Sequence, residues 1–124
     1  MINGVGVDIV EVKRMERWLN NPNLLERYFH NEEVAFVFSR GKSARQTLAA
    51  RFAAKEAFGK ALGTGLAEIS LKDIMVVNNE NGKPDLKLFG TAQKALENSG
   101  SCKAHISLSH EKENAIAMVI LEGA

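Results

Sequence analysis

Only one cysteine, Cys102, occurs among the 124 residues, so no internal disulfide can form and no multi-cysteine metal cluster can assemble. Such thiol usage suits a reducing compartment, and the expectation is a cytoplasmic protein. Excess charge is equally scarce. Sixteen Lys and Arg against 15 Asp and Glu leave a net charge of +1, which gives no whole-molecule field toward nucleic acid or an anionic membrane. An acidic partner would have to be attracted by a local patch. No apolar run approaches the roughly twenty residues that a bilayer span requires. The N-terminus lacks the order of a signal peptide, because Asp8 and Glu11 stand where an apolar block belongs. There is no internal repeat and no low-complexity stretch. Both nucleotide signatures, the P-loop and G-x-G-x-x-G, are missing. So is H-E-x-x-H, and His30, His105 and His110 lack helical zinc spacing. No G-x-S-x-G elbow supports a serine hydrolase.

What is present is a length near the modal domain size and 45% hydrophobic residues, enough for one core, so residues 1–124 are expected to form a single domain. Residues 1–10 read as a strand in which Val5, Val7 and Ile9 alternate with Gly4, Gly6 and Asp8, one face apolar and the other nearly bare. Glycines there mark a bulge, tight packing, or close approach by a ligand or another backbone. Asp8 either caps the next helix or serves a site.

From Glu11 the period becomes helical, with Val12, Met15 and Leu19 as the buried stripe and Trp18 beside it. Lys13, Arg14 and Arg17 gather on the other side, as a solvated face or as a docking patch for an acidic helix. Asn20 to Asn23, around Pro22, break that helix. Residues 24–29 make a short amphipathic piece, and Asn31 is expected to cap a helix over 32–39 that Arg40 and Gly41 stop. Ser43 with Gln46 reads as a capping box opening a long helix, which Gly63 and Gly65 end.

Residues 69–77 and 85–88 form a hairpin about Asn81-Gly82, and 91–98 form a short helix. Along the strand 103–109, Ala104, Ile106 and Leu108 face one way; His105, Ser107 and Ser109 face the other, as solvated surface or as a polar ligand site. His110 and Glu111 follow in a turn, and residues 115–121 are expected to close the sheet. This order of helices and hairpin-connected strands gives an α+β fold, a small antiparallel sheet packed with a long central helix and several short ones.

The chemistry centres on residues 51–65, RFAAKEAFGKALGTG. Glu56 is a lone carboxylate among small apolar residues, with Lys60 one turn later on the same face and Phe52 one turn earlier. An acid and a base at this spacing often form a plain surface ion pair. A second acid in an unlikely place, Asp8, opens another reading, in which two carboxylates share a hard cation.

Three stretches, VGVDIVEVKR, RFAAKEAFGKALGTG and ISLSHE, together resemble the motifs of the small, bacterial-type 4′-phosphopantetheinyl transferases, the holo-[acyl-carrier-protein] synthase family. The resemblance covers essentially the whole chain, in order. Two positions depart from it: Gly59 stands where the family commonly has serine, and Asn114 where an aromatic is common. The resemblance implies the transferase fold and transfer of phosphopantetheine from coenzyme A to a serine of apo acyl carrier protein, releasing 3′,5′-ADP for fatty acid biosynthesis.

By the same resemblance Asp8 and Glu56 hold Mg²⁺, and Glu56 also orients a water or takes the serine proton. Lys60 reaches the phosphates and steadies the leaving group. Arg45, Arg51, Gly63, Thr64, Ser107, Ser109 and His110 contact coenzyme A, and Lys13, Arg14 and Arg17 dock the carrier protein. The family also implies a homotrimer with sites between neighbouring chains. Two other classes compete, a non-catalytic module that binds coenzyme A and a purely structural oligomer. Neither needs both acids.

Overall fold

The computed structural model describes residues 1–124. A first strand, β1 (Ile2–Glu11), runs through a single tight turn at Val12–Arg14 into α1 (Met15–Leu19). Helices α2 (Pro22–Tyr28), α3 (Asn31–Ser39) and the long α4 (Ala44–Leu62) follow. The hairpin β2 (Ile74–Asn78) and β3 (Pro84–Leu88), the helix α5 (Gly90–Asn98) and the hairpin β4 (Lys103–His110) and β5 (Asn114–Glu122) complete the chain. All strand pairs are antiparallel, in a three-stranded sheet ordered β1-β5-β4 and a separate two-stranded β2-β3.

The long helix packs on one face of the larger sheet because both surfaces are made of small residues. On α4 these are Ala50, Ala53, Ala54, Ala57 and Ala61, and on β5 Ala115, Ala117 and Val119, all buried. On β1 the facing positions are Gly4, Gly6 and Asp8. A Cβ placed on Gly4 would lie 2.0 Å from the Ala61 carbonyl oxygen, and one on Gly6 2.1 Å from that of Ala57. The bare face of the strand therefore admits a helix backbone, which settles what its glycines approach.

One ion pair lies inside the core. Lys55 Nζ donates to Glu33 Oε1 at 2.8 Å, to the Leu71 carbonyl at 2.8 Å and to that of Ile74, while Glu33 Oε2 accepts the Val76 N–H at 3.0 Å. Both side chains are shut off from solvent. Burial pulls the Lys55 ammonium below its ordinary value, and Glu33 opposes that. The pair fastens α4 to α3 and β2.

Several boundaries differ from expectation. The cap of α3 is His30, one residue before Asn31: its Nδ1 accepts the Glu32 N–H at 3.1 Å, and Glu33 Oε1 accepts the His30 N–H at 3.0 Å. Ser43 makes no side-chain cap, because a turn at Gly41–Ser43 already leads into α4. The strand expected over 69–77 starts at Ile74, since Leu71–Asp73 coil into a tight turn that ties to α5 through Asp73 and Thr91. Pro22 begins α2, with Asn21 capping it, as well as ending what precedes. Finally, β5 is the middle strand of the sheet and β1 and β4 are its edges.

Candidate active site

Asp8 lies on the helix-facing side of β1, opposite Ala117 of β5. It does not cap the turn that follows, which lacks a side-chain cap. Glu56 is half-buried on the adjoining face of α4. The two carboxylates, 48 positions apart in the sequence, feel each other directly. Burial first and the Asp8 charge second push Glu56 above the ordinary carboxylate range, against the opposing pull of Lys60 and Arg14. Lys60 does not form the plain surface pair with Glu56 expected from helical spacing. Its Nζ reaches across to Asp8 Oδ1 at 2.8 Å. The Asp8 side chain is only 16% exposed and that of Lys60 55%, so a solvent-facing cation closes over a largely enclosed acid. The hydrogen bond to Asp8 holds the Lys60 ammonium above its usual value.

This donor set suits a small hard cation. No third His, Cys, Asp or Glu joins the pair. Two carboxylates alone match Mg²⁺, which keeps several waters and takes substrate phosphate oxygens for its other positions. The Lys60 ammonium on Asp8 shows that this pocket of negative charge already draws a cation.

The end of α4 is shaped by its glycines. Gly63 adopts φ +81° and its N–H donates to the Lys60 carbonyl at 3.0 Å; the Gly65 N–H donates to the Gly59 carbonyl at 3.0 Å. These amides close the helix, and Thr64 between them is exposed. Gly59 has its own reason to lack a side chain. A Cβ there would lie 2.9 Å from Leu66 Cγ and 2.9 Å from the Gly65 carbonyl carbon, where the loop folds back.

Lys13, Arg14 and Arg17 are all exposed on the turn and helix that follow β1. Arg14 comes nearest to the acids: its guanidinium carbon lies 6.0 Å from the centre of the Phe52 ring, one turn before Glu56, and its charge bears on that carboxylate.

The remaining expected residues are dispersed within one chain. Arg51 is 3% exposed and lines a cavity of about 420 Å³ with His110, Arg40, Phe36 and Asn78. Its Nη2 donates to Asn78 Oδ1 at 2.7 Å, its plane lies over Phe36 at 4.4 Å, and its buried Nε has no partner. Burial, partly offset by Glu33, lowers it to about 10. Arg45 is engaged elsewhere, with Glu16 at 3.0 Å. Ser107 and Ser109 lie opposite Met118 and Ile116 on the outer face of the sheet, turned away from α4 and from Asp8. Phe36, Arg40 and Asn78 were not legible as site residues, since they come from separate elements and meet only in the fold. Glu33 had one local signal, its spacing from His30 in the cap.

A family model described as the 4′-phosphopantetheinyl transferase superfamily matches residues 4–119. The chain belongs to that superfamily. Among similar phosphopantetheinyl transferases, the holo-[acyl-carrier-protein] synthase of Treponema denticola is 59% identical over 123 residues, spanning 99% of this chain and all of that protein. The holo-(acyl-carrier-protein) synthase of Bacillus anthracis, solved in complex with CoA (3′,5′-ADP), superposes with a TM-score of 0.82 at 38% identity over 100% and 99% of the two chains. The synthase of Neisseria meningitidis gives 0.87 at 36% identity over 98% and 99%. The α+β architecture read from the sequence is that of these transferases. No helix is long and apolar enough to cross a membrane.

Proposed function

We propose that this chain is a holo-[acyl-carrier-protein] synthase, with residues 1–124 as one transferase domain. It moves 4′-phosphopantetheine from coenzyme A to a serine of apo acyl carrier protein and releases 3′,5′-ADP. The observation that carries this reading is the convergence of Asp8 and Glu56, from two distant elements, beside Lys60. A pure coenzyme A-binding module has no use for two carboxylates crowded together at a cost to the ionised form of one.

Asp8 and Glu56 would hold Mg²⁺. When bound, the metal neutralises charge on the transferring phosphoryl group and keeps attack in line. Glu56 is also placed to accept the serine proton, directly or through a water. Lys60, released from Asp8 and on an exposed stem, turns to the phosphates and steadies the departing 3′,5′-ADP. Thr64 borders the same end of α4. Arg51, lining a cavity shared with Arg40 and His110, suits the 3′-phosphate, since a guanidinium offers a planar fork of donors. Lys13, Arg14 and Arg17 steer the acidic carrier protein toward the acids, with Arg14 first.

The working form we infer is a homotrimer whose sites lie between chains. The outer face of the sheet exposes Val5, Val7, Ile9, Ile116 and Met118 side by side, an apolar patch of the kind that marks an interface. Ser107 and Ser109 share that face, so a neighbouring chain is what could bring them to an acid pair. We place the reaction in the cytoplasm, in fatty acid biosynthesis, where the exposed Cys102 thiol would stay reduced.

The test is a mass spectrum of apo acyl carrier protein after incubation with the protein, coenzyme A and Mg²⁺, with and without EDTA. A phosphopantetheine-sized gain that EDTA removes is expected. A gain that survives EDTA would overturn the metal assignment, and no gain with coenzyme A still bound would favour a binding module.

A further inference from the structure

The hairpin of β2 and β3 stands apart from the larger sheet, so the edge that β2 turns away from β3 has no strand beside it. An open edge leaves a row of unpaired N–H and C=O groups. Here charged side chains of α3 and α4 take the place of a strand. Lys55 Nζ donates to the Ile74 carbonyl, and Glu33 Oε2 accepts the Val76 N–H at 3.0 Å. Arg51 Nη2 donates to the Val76 carbonyl at 3.5 Å and to Asn78 Oδ1 at 2.7 Å. Ile74 and Val76 are alternate residues, the ones whose backbone groups an antiparallel pair leaves facing outward.

Glu33 is the centre of this comb. Its Oε1 accepts Lys55 Nζ at 2.8 Å and the His30 N–H at 3.0 Å, so with Val76 on Oε2 both oxygens are committed. Glu33, Lys55 and Arg51 are all buried. Two buried cations thus share one buried carboxylate, and Lys55 is the one in contact with it. The charge left over is that of Arg51, whose partners are neutral. Arg51 is also the member that lines the cavity with Arg40, His110 and Glu80. Glu33 does not line it, and reaches Arg51 through one residue, Val76, whose N–H it holds and whose carbonyl takes the guanidinium.

We propose that Glu33 is a positioning residue for the coenzyme: by fixing Val76 it sets where the Arg51 guanidinium stands, and so how well the 3′-phosphate of coenzyme A is held. This rests on the transferase reading, which gives that phosphate to Arg51. A phosphate dianion balances the excess cation and meets the guanidinium fork with two acceptors. Because the Val76 carbonyl and Asn78 both hold Nη2, a shift of β2 turns that fork. Glu33→Gln breaks the link with one atom changed. With Lys55 and the His30 N–H on the amide oxygen, the amide NH2 faces the Val76 N–H, donor against donor, and β2 has to move away.

Titration calorimetry of wild-type protein and Glu33→Gln with coenzyme A and with dephospho-coenzyme A, which lacks only the 3′-phosphate, tests this. Wild type should prefer coenzyme A. Glu33→Gln should bind coenzyme A about tenfold more weakly, within the coupling seen between residues of one hydrogen-bond network, and dephospho-coenzyme A as before. Unchanged affinity for coenzyme A would overturn the proposal. So would an equal loss for both ligands, which is what a merely structural role gives. Should Glu33→Gln fail to fold, amide hydrogen exchange of the wild type decides. Coenzyme A should slow exchange at Val76 and dephospho-coenzyme A should not; equal rates with the two ligands would overturn the positioning role. Wild type that binds both ligands equally would take the phosphate from Arg51 and the proposal with it. Wild type that prefers coenzyme A yet transfers nothing would sink the transferase reading alone, while the titrations would still report on Glu33.

Discussion

At the residue scale, the site costs the protein stability where it gains chemistry. Burial and Asp8 raise Glu56, so its ionised form is disfavoured in the folded chain. A raised carboxylate adds stability that is fully present below its unfolded value and is lost as pH rises through the folded one. At neutral pH the ionised acid is therefore a net burden. Glu56→Gln should raise the melting temperature at neutral pH in a chelating buffer, lose that gain as pH falls below the carboxylate range, and abolish transfer. Thermal scans against pH with a transfer assay check this; a variant of lower melting temperature at neutral pH would contradict the electrostatic account. The acids could be read from the sequence because each sits in a setting that disfavours charge, a glycine strand and an alanine helix. The Lys60 partner could not, since helical spacing pointed to Glu56 and only the packing of α4 on β1 puts Asp8 closer.

At the element scale, α4 on β1 decides where everything else sits. Hydrophobic period gave the elements readily: the stripe of Val12 and Met15, the alternation of Ala104 to Ser109, and the glycine stop at Gly63 all hold in the structure. Boundaries failed where a competing local bond was available. His30 displaced Asn31 as a cap because its own ring and Glu33 complete the box, and Ser43 lost its box to the turn before it. The glycines of β1 are the firmest link between sequence and packing. Gly6→Ala drives a Cβ into the backbone of α4 rather than into a side chain that could swing away. It should cost about 3 kcal/mol in urea unfolding, at the upper end for overpacked cores, and it should slow transfer by moving Asp8 away from Glu56. A loss below about 0.5 kcal/mol, the range of ordinary surface substitutions, would show that the helix stands further off than its geometry indicates.

At the scale of the whole molecule, the sequence showed apolar residues on β1 but not that they point outward. Alternation of Val5, Val7 and Ile9 reads as a core face in any strand; here the core takes the glycine face, because only that one admits the helix. The apolar side is left to solvent in a single chain, with Val5 57% and Met118 43% exposed. The same face presents Ser107 and Ser109, so the proposed assembly, a second chain laid across the sheet, would cover the apolar patch and reach these candidate residues together. Met118 lies near the middle of that patch, on the central strand and opposite both Val7 and Ser107, and touches neither acid in its own chain. A charge buried there without a partner is strongly disfavoured. Met118→Glu should therefore convert the proposed trimer into a monomer by light scattering, keep the circular dichroism of the folded chain, and reduce transfer by orders of magnitude, although Asp8, Glu56 and Lys60 are intact. Mass and activity have to fall together. A monomer with full transfer would mean that one chain holds a complete site. A trimer that survives the substitution would mean that the chains meet through some other surface.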